Sequence, residues 1–168
     1  MVKFIHCADL HLDSPFKSKS HLSPNIFEDV QKSAYESFQH IVDLALQKEV
    51  DFIIIAGDLF DKENRTLRAE VFLKEQFERL EKEQIFVYIC HGNHDPLSTK
   101  ISSNWPKNVS VFSNQVETYQ AITKDGETIF IHGFSYQNDA SYENKIDSFP
   151  SSQGQQGIHI GAVSYTHL

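Results

Sequence analysis

Cysteine is scarce in this chain, and its scarcity argues against a disulfide scaffold. Cys7 and Cys90 each fall near the end of an apolar run, which suits small buried hydrophobes better than a staple in a protein of 168 residues. No apolar run approaches the roughly 20 residues that span a bilayer. Lys3, His6 and Asp9 interrupt the first such run, so a secretory leader is not expected either. The expectation is a cytoplasmic protein that does not engage a membrane. An excess of positive charge is also missing, since 15 Lys and Arg against 23 Asp and Glu give a net charge of −8. Composition therefore carries no electrostatic footprint of a nucleic-acid binder, and most of the acidic residues read as solvated charge on helix surfaces. Internal repeats are absent.

What is present is enough apolar material for one core: 40% hydrophobic residues, with 13 Phe among them. Val2 to Ala8, Phe52 to Ala56 and Ile85 to Cys90 are apolar runs of strand length. Between the first two, Phe27, Val30, Ala34, Phe38, Ile41, Val42, Ala45 and Leu46 recur at helical spacing, with Ser23 and Pro24 as cap and first-turn residue. A second helix is predicted from Thr66 to Glu83, with Ala69, Phe72, Leu73, Phe77 and Leu80 as its buried stripe. Strand, helix, strand, helix, strand is the order of a parallel sheet with crossover helices. After Asp95-Pro96 come four shorter runs, Val109 to Phe112, Val116 to Thr123, Thr128 to Phe134 and Ile158 to Val163, which predict a second, more antiparallel sheet. Asp125-Gly126 marks a hairpin turn, and Tyr136 to Gly157 reads as a long loop.

Each of the first three runs ends in a string of chemical interest: Asp9-Leu10-His11, Gly57-Asp58-Leu59-Phe60-Asp61 and Gly92-Asn93-His94-Asp95. In open α/β sheets, ligands bind outside the carboxyl ends of the strands, so these loops can converge on one site. Carboxylates, an imidazole and an amide oxygen suit divalent ions such as manganese, iron or zinc. Hydrolysis of a phosphate ester calls for neutralised phosphoryl oxygens and a hydroxide formed near neutral pH, which two ions ~3.5–4 Å apart provide. Asp58 is the candidate bridging ligand, with Asp9 and His11 on one side and the Asn93 carbonyl oxygen on the other. His94 then remains for acid catalysis, with Asp95 as its orienting partner. Asp-x-His alone is a common pair, whereas Gly-Asn-His-Asp is far more specific. His6 reads as a residue of the core or of the surroundings of the ligands, and His91 as ambiguous. His21, His40, His132 and His159 read as structural or surface residues.

These strings resemble the first three motifs of the calcineurin-like metallophosphoesterase superfamily. The opening Phe4 to Pro15 and the string Ala56 to Asp61 are similar, within it, to the YhaO-type and SbcD-like bacterial DNA-repair exonucleases. The resemblance runs from Val2 to about Gly161. It implies an α/β protein with a four-layer αββα sandwich, two divalent metal ions, manganese in such enzymes, and phosphodiester hydrolysis on DNA. By the resemblance Asp9, His11, Asp58 and Asn93 are metal ligands and His94 is the catalytic acid. It also implies a partner ATPase with a long coiled coil.

The chain departs from that pattern downstream. Such proteins supply one further histidine ligand before a glycine and two more in a Gly-His-x-His string. Here Ser164 stands where the first is expected, and the others are missing. Val163 to Leu168 resembles the in-frame translation of a transposon end used in sequencing-library preparation. The expectation is a domain over residues 1–161, truncated before its last strands, followed by a non-native tail at 162–168. Such a fragment of a repair nuclease would be weakly active. A phosphatase or phosphodiesterase for small molecules or phosphoproteins, and a non-catalytic metal-binding domain, are the alternatives.

Overall fold

In the computed structural model of the protein, residues 1–14, 24–61, 65–99, 104–140, 145–151 and 155–164 are described. The first sheet holds β1 (Phe4–Cys7), β2 (Phe52–Ala56), β3 (Phe86–Cys90) and β4 (Val109–Val111) in that order, with every pairing parallel. Helix α1 (Pro24–Lys48) connects β1 to β2, and α2 (Leu67–Lys82) connects β2 to β3. All five residues of β2 are buried, because both faces of this strand are covered. Side chains alternate across it: Ile53 and Ile55 join Phe38, Val42, Leu73, Phe77 and Leu80 under the helices, while Phe52, Ile54 and Ala56 meet Ile129 and Ile131 of the second sheet.

Helix α1 begins at the predicted Pro24, while Ser23 and the side chain of Phe27 lie outside the described residues. Thr66 caps α2 by accepting a hydrogen bond from the Ala69 amide at 3.2 Å. The second sheet holds β5 (Glu117–Ile122), β6 (Thr128–Gly133) and β7 (Ile158–Ala162) in that order. Strands β5 and β6 form the predicted hairpin, and Gly126 takes the left-handed conformation (φ 82°) that its turn requires.

Two expectations about the sheets need correction. Strand β4 belongs to the first sheet: Val109 and Val111 dock against the core beneath the helices, and the Val87 amide donates to the Asn108 carbonyl at 2.9 Å. Strand β7 runs parallel to β6, so the second sheet is mixed. The expected long loop contains a short 3-10 turn, Lys145–Ser148, followed by Phe149, whose ring lies against His132 and Phe134 on the outer side of the second sheet.

Cys7 and Cys90 are both free, and burial pushes each thiol up to about 12, in keeping with a packing role. Among the described residues no helix is long and apolar enough to cross a membrane.

Candidate metal centre

The loop after β1 is laced onto the loop after β2. The Asp9 amide donates to the Gly57 carbonyl at 3.1 Å, the His11 amide to Asp58 at 2.9 Å and the Leu12 amide to Leu59 at 3.2 Å. The loop after β2 is tied in turn to β3 by the Gly57 amide and the Cys90 carbonyl at 2.8 Å. Asp9, His11 and Asp58 all adopt the left-handed backbone conformation, with φ of 53°, 43° and 52°. Asp and His tolerate this region better than most residues, yet with Asp13 (φ 65°) the two adjoining loops hold four such residues, a concentration of local strain of the kind found at functional sites.

This geometry brings one ligand atom from each of Asp9, His11 and Asp58 within 4.8 Å of the others. Nε2 of His11 lies 3.9 Å from Asp9 Oδ1 and 3.8 Å from Asp58 Oδ2. Two ligands on one ion, each at about 2.1 Å, stand at most about 4.2 Å apart, so these separations fit a shared cation. Asn93 supplies a further sign: its Oδ1 is buried and has no hydrogen-bond partner. An acceptor left unpaired in that way is costly unless a ligand satisfies it.

Asp58 is buried, and its Oδ1 accepts a hydrogen bond from the His94 amide at 3.0 Å. Desolvation holds its carboxyl above the usual range, the neighbouring Asp95 charge adds to this, and the His94 amide and the two imidazoles oppose it. Gly92 is required beside it, because a Cβ there would stand 2.2 Å from Asp58 Oδ1. At Gly57, where φ is 92°, a Cβ would lie 2.1 Å from the Ser164 hydroxyl. Ser164 is buried and joins Asp9, His11, Asp58, Asn93 and His94 in lining a cleft of about 460 Å3. His6 and Val163 line the same cleft.

His94 sits at the rim, half exposed, with its ring edge-on to that of His11 at 5.1 Å. The residue beside its Nδ1 is Asp61, at 3.5 Å, whose other oxygen accepts a hydrogen bond from Ser14 Oγ at 2.9 Å. The expected partner, Asp95, points elsewhere. It is buried and accepts from the Gly92 and Leu59 amides at 2.8 and 3.0 Å, with His91 Nδ1 at 2.9 Å. Neighbours in a tight turn face different ways, so Asp95 braces its own loop and ties it to the loop after β2. Asp61 was missed, although its signal was visible as a second carboxylate in the Gly57–Asp61 string. His91 is likewise structural, its amide donating to Ser135 Oγ and its carbonyl accepting from the Tyr136 amide.

His132 and His159 lie away from the cleft and pair with each other, Nε2 to Nδ1, at 2.9 Å, while His132 Nδ1 meets Thr118 Oγ1 at 2.8 Å. Burial, and secondarily the charge of His159, lowers the pKa of His132 below its ordinary 6.5. The unfolded chain therefore binds a proton near pH 6.5 that the folded chain refuses, and stability present above that pH falls on acidification. Urea midpoints measured from pH 7.5 down to pH 5.5 are expected to fall less steeply in His132→Gln than in the unaltered protein; identical slopes would remove this assignment. His40 is exposed on α1, and His21 and His167 lie outside the described residues.

Residues 2–158 match the calcineurin-like phosphoesterase family. The chain is 46% identical over 165 residues to the uncharacterized metallophosphoesterase YhaO of Bacillus subtilis, covering 97% of this chain and 40% of that protein. It is 26% identical over 155 residues to the DNA double-strand break repair protein Mre11 of Methanocaldococcus jannaschii, covering 90% of this chain and 39% of the relative. A solved dimetal phosphatase from Danio rerio aligns over 86% of this chain and 49% of its own at 14% identity, with a TM-score of 0.48. The chain thus spans about 40% of the length of the two curated relatives.

Proposed function

The chain belongs to the calcineurin-like phosphoesterase family, and from that premise we propose that it carries the metal-binding half of a DNA-cleaving phosphodiesterase, an exonuclease of the repair type. The observation that carries this reading is the convergence of Asp9, His11 and Asp58 beside the unpaired buried oxygen of Asn93. In it Asp9 and His11 would hold one divalent ion, Asn93 would hold a second, and Asp58 would be shared between them. Bound ions, manganese by the family resemblance, supply charge neutralisation at the phosphoryl oxygens and activation of the nucleophile.

The chain's own residues do the rest. Asp61 Oδ1, 3.5 Å from His94 Nδ1, orients the ring and leaves Nε2 to deliver a proton to the departing oxygen. The Gly92 backbone leaves room for the Asp58 carboxylate. Support for DNA as substrate comes from the named activity of the Mre11 relatives, and the coiled-coil ATPase partner and the cytoplasmic location belong to the same proposal. A small phosphoester is the second reading, favoured by a cleft with no Lys or Arg among the described residues that line it.

The test incubates the chain and its Ser164→His variant with manganese and single- or double-stranded oligonucleotides, with bis(p-nitrophenyl) phosphate alongside. A hydroxyl is a weaker ligand than an imidazole, so slow cleavage by the chain and faster cleavage by Ser164→His are expected. Hydrolysis of the small ester by both without any cleavage of DNA would overturn the DNA reading, and no hydrolysis of either would leave a metal-binding domain.

A further inference from the structure

The inner-face positions of the first sheet near the cleft are Phe4, His6 and Ala8 along β1 and just beyond it, Phe52, Ile54 and Ala56 along β2, and Tyr88 and Cys90 along β3. All but one are apolar or aromatic, as a face turned toward a second sheet requires. The exception is His6, which pairs in register with Ile54, is exposed, and lines the cleft. Its ring makes no hydrogen bond or ion pair with any described residue, nor does it belong to the one group of three whose ligand atoms converge among those residues. A polar ring placed out of pattern, beside an ion site yet outside its converging ligands, is positioned to meet substrate.

We propose that His6 is a substrate-binding residue that donates a hydrogen bond to a non-bridging oxygen of the phosphodiester next to the one being cleaved, and so favours a polynucleotide over an isolated ester. Among the described residues that line the cleft, only His6, His11 and His94 can carry positive charge. His11 stands against Asp9 and Asp58, and His94 against Asp61. A second phosphate entering this cleft therefore finds in His6 the donor that no described carboxylate engages. This assignment rests on the DNA reading proposed above, and it names the residue by which that substrate class is selected.

The test titrates the protein into a fluorescently labelled single-stranded oligonucleotide and follows anisotropy, with manganese-dependent hydrolysis of bis(p-nitrophenyl) phosphate measured alongside. A hydrogen bond to a charged group predicts roughly 10- to 100-fold weaker oligonucleotide binding in His6→Ala. His6→Gln keeps an N–H donor and recovers part of the loss. Oligonucleotide affinity unchanged in His6→Ala overturns this inference alone. Loss of binding together with a lowered melting temperature, and no recovery in His6→Gln, overturns it in favour of a structural role for the ring. A protein that hydrolyses the ester but binds no oligonucleotide overturns the DNA reading and this inference with it.

Discussion

Asp58→Asn is expected to weaken manganese binding by at least ~10²-fold in calorimetric titration, since even residues one step removed from a metal alter its affinity by 10–100-fold. The two carboxylate oxygens face different partners: Oδ1 accepts from the His94 amide at 3.0 Å, and Oδ2 lies 3.8 Å from His11 Nε2. An Asn side chain keeps one oxygen and turns an NH2 group either toward the His94 amide, donor against donor, or toward the ion. His11→Ala removes one ligand of one ion and is expected to weaken binding less. The metal-free protein should not suffer, because burial already disfavours the charged form of this carboxyl and the neutral amide relieves that penalty. Asp58→Asn should therefore melt no lower than the unaltered protein in the presence of a chelator. Unchanged manganese affinity would remove the bridging assignment, and a collapse of the fold in chelator would show that the carboxylate acts structurally.

The parallel core was legible because its signal is local. An apolar run such as Phe52 to Ala56, flanked by amphipathic helices, has one economical arrangement, and the strands fall within two residues of where their patterns place them. The sheet that β4 joins was not legible, since three half-buried residues carry no period long enough to specify a partner. Its placement depends on the path of the long connection after Asp95. Strand β7 poses the same difficulty, because nothing in Ile158 to Val163 distinguishes a parallel from an antiparallel neighbour. Within the site, residue types at strand ends disclosed which side chains converge, but not the direction in which each points. Asp95 follows His94 in sequence and faces away from it, whereas Asp61 lies 33 positions earlier and stands beside it. The left-handed backbone at Asp9, His11 and Asp58 is likewise unmarked, because the sequence has no glycine at those positions.

His94→Ala separates binding from chemistry. The ring is half exposed and makes no ligand-distance contact of the kind His11 makes with Asp9 and Asp58, so its removal is expected to leave manganese affinity and thermal stability nearly unchanged. Turnover should nevertheless fall by roughly 10²–10⁴-fold, the range for loss of a positioned general acid. Asp61→Asn acts in the same direction with a smaller effect, because it leaves the imidazole in place while altering the carboxylate that stands 3.5 Å from its Nδ1 and orients it. The leaving group supplies the decisive comparison. A p-nitrophenolate departs with little need of a proton, whereas the sugar oxygen of a nucleotide departs only when protonated. His94→Ala should therefore lose far more activity on an oligonucleotide than on bis(p-nitrophenyl) phosphate. Equal losses on the two substrates would show that the ring binds or positions the phosphoryl group, and the proton donor would then have to be sought elsewhere in the cleft.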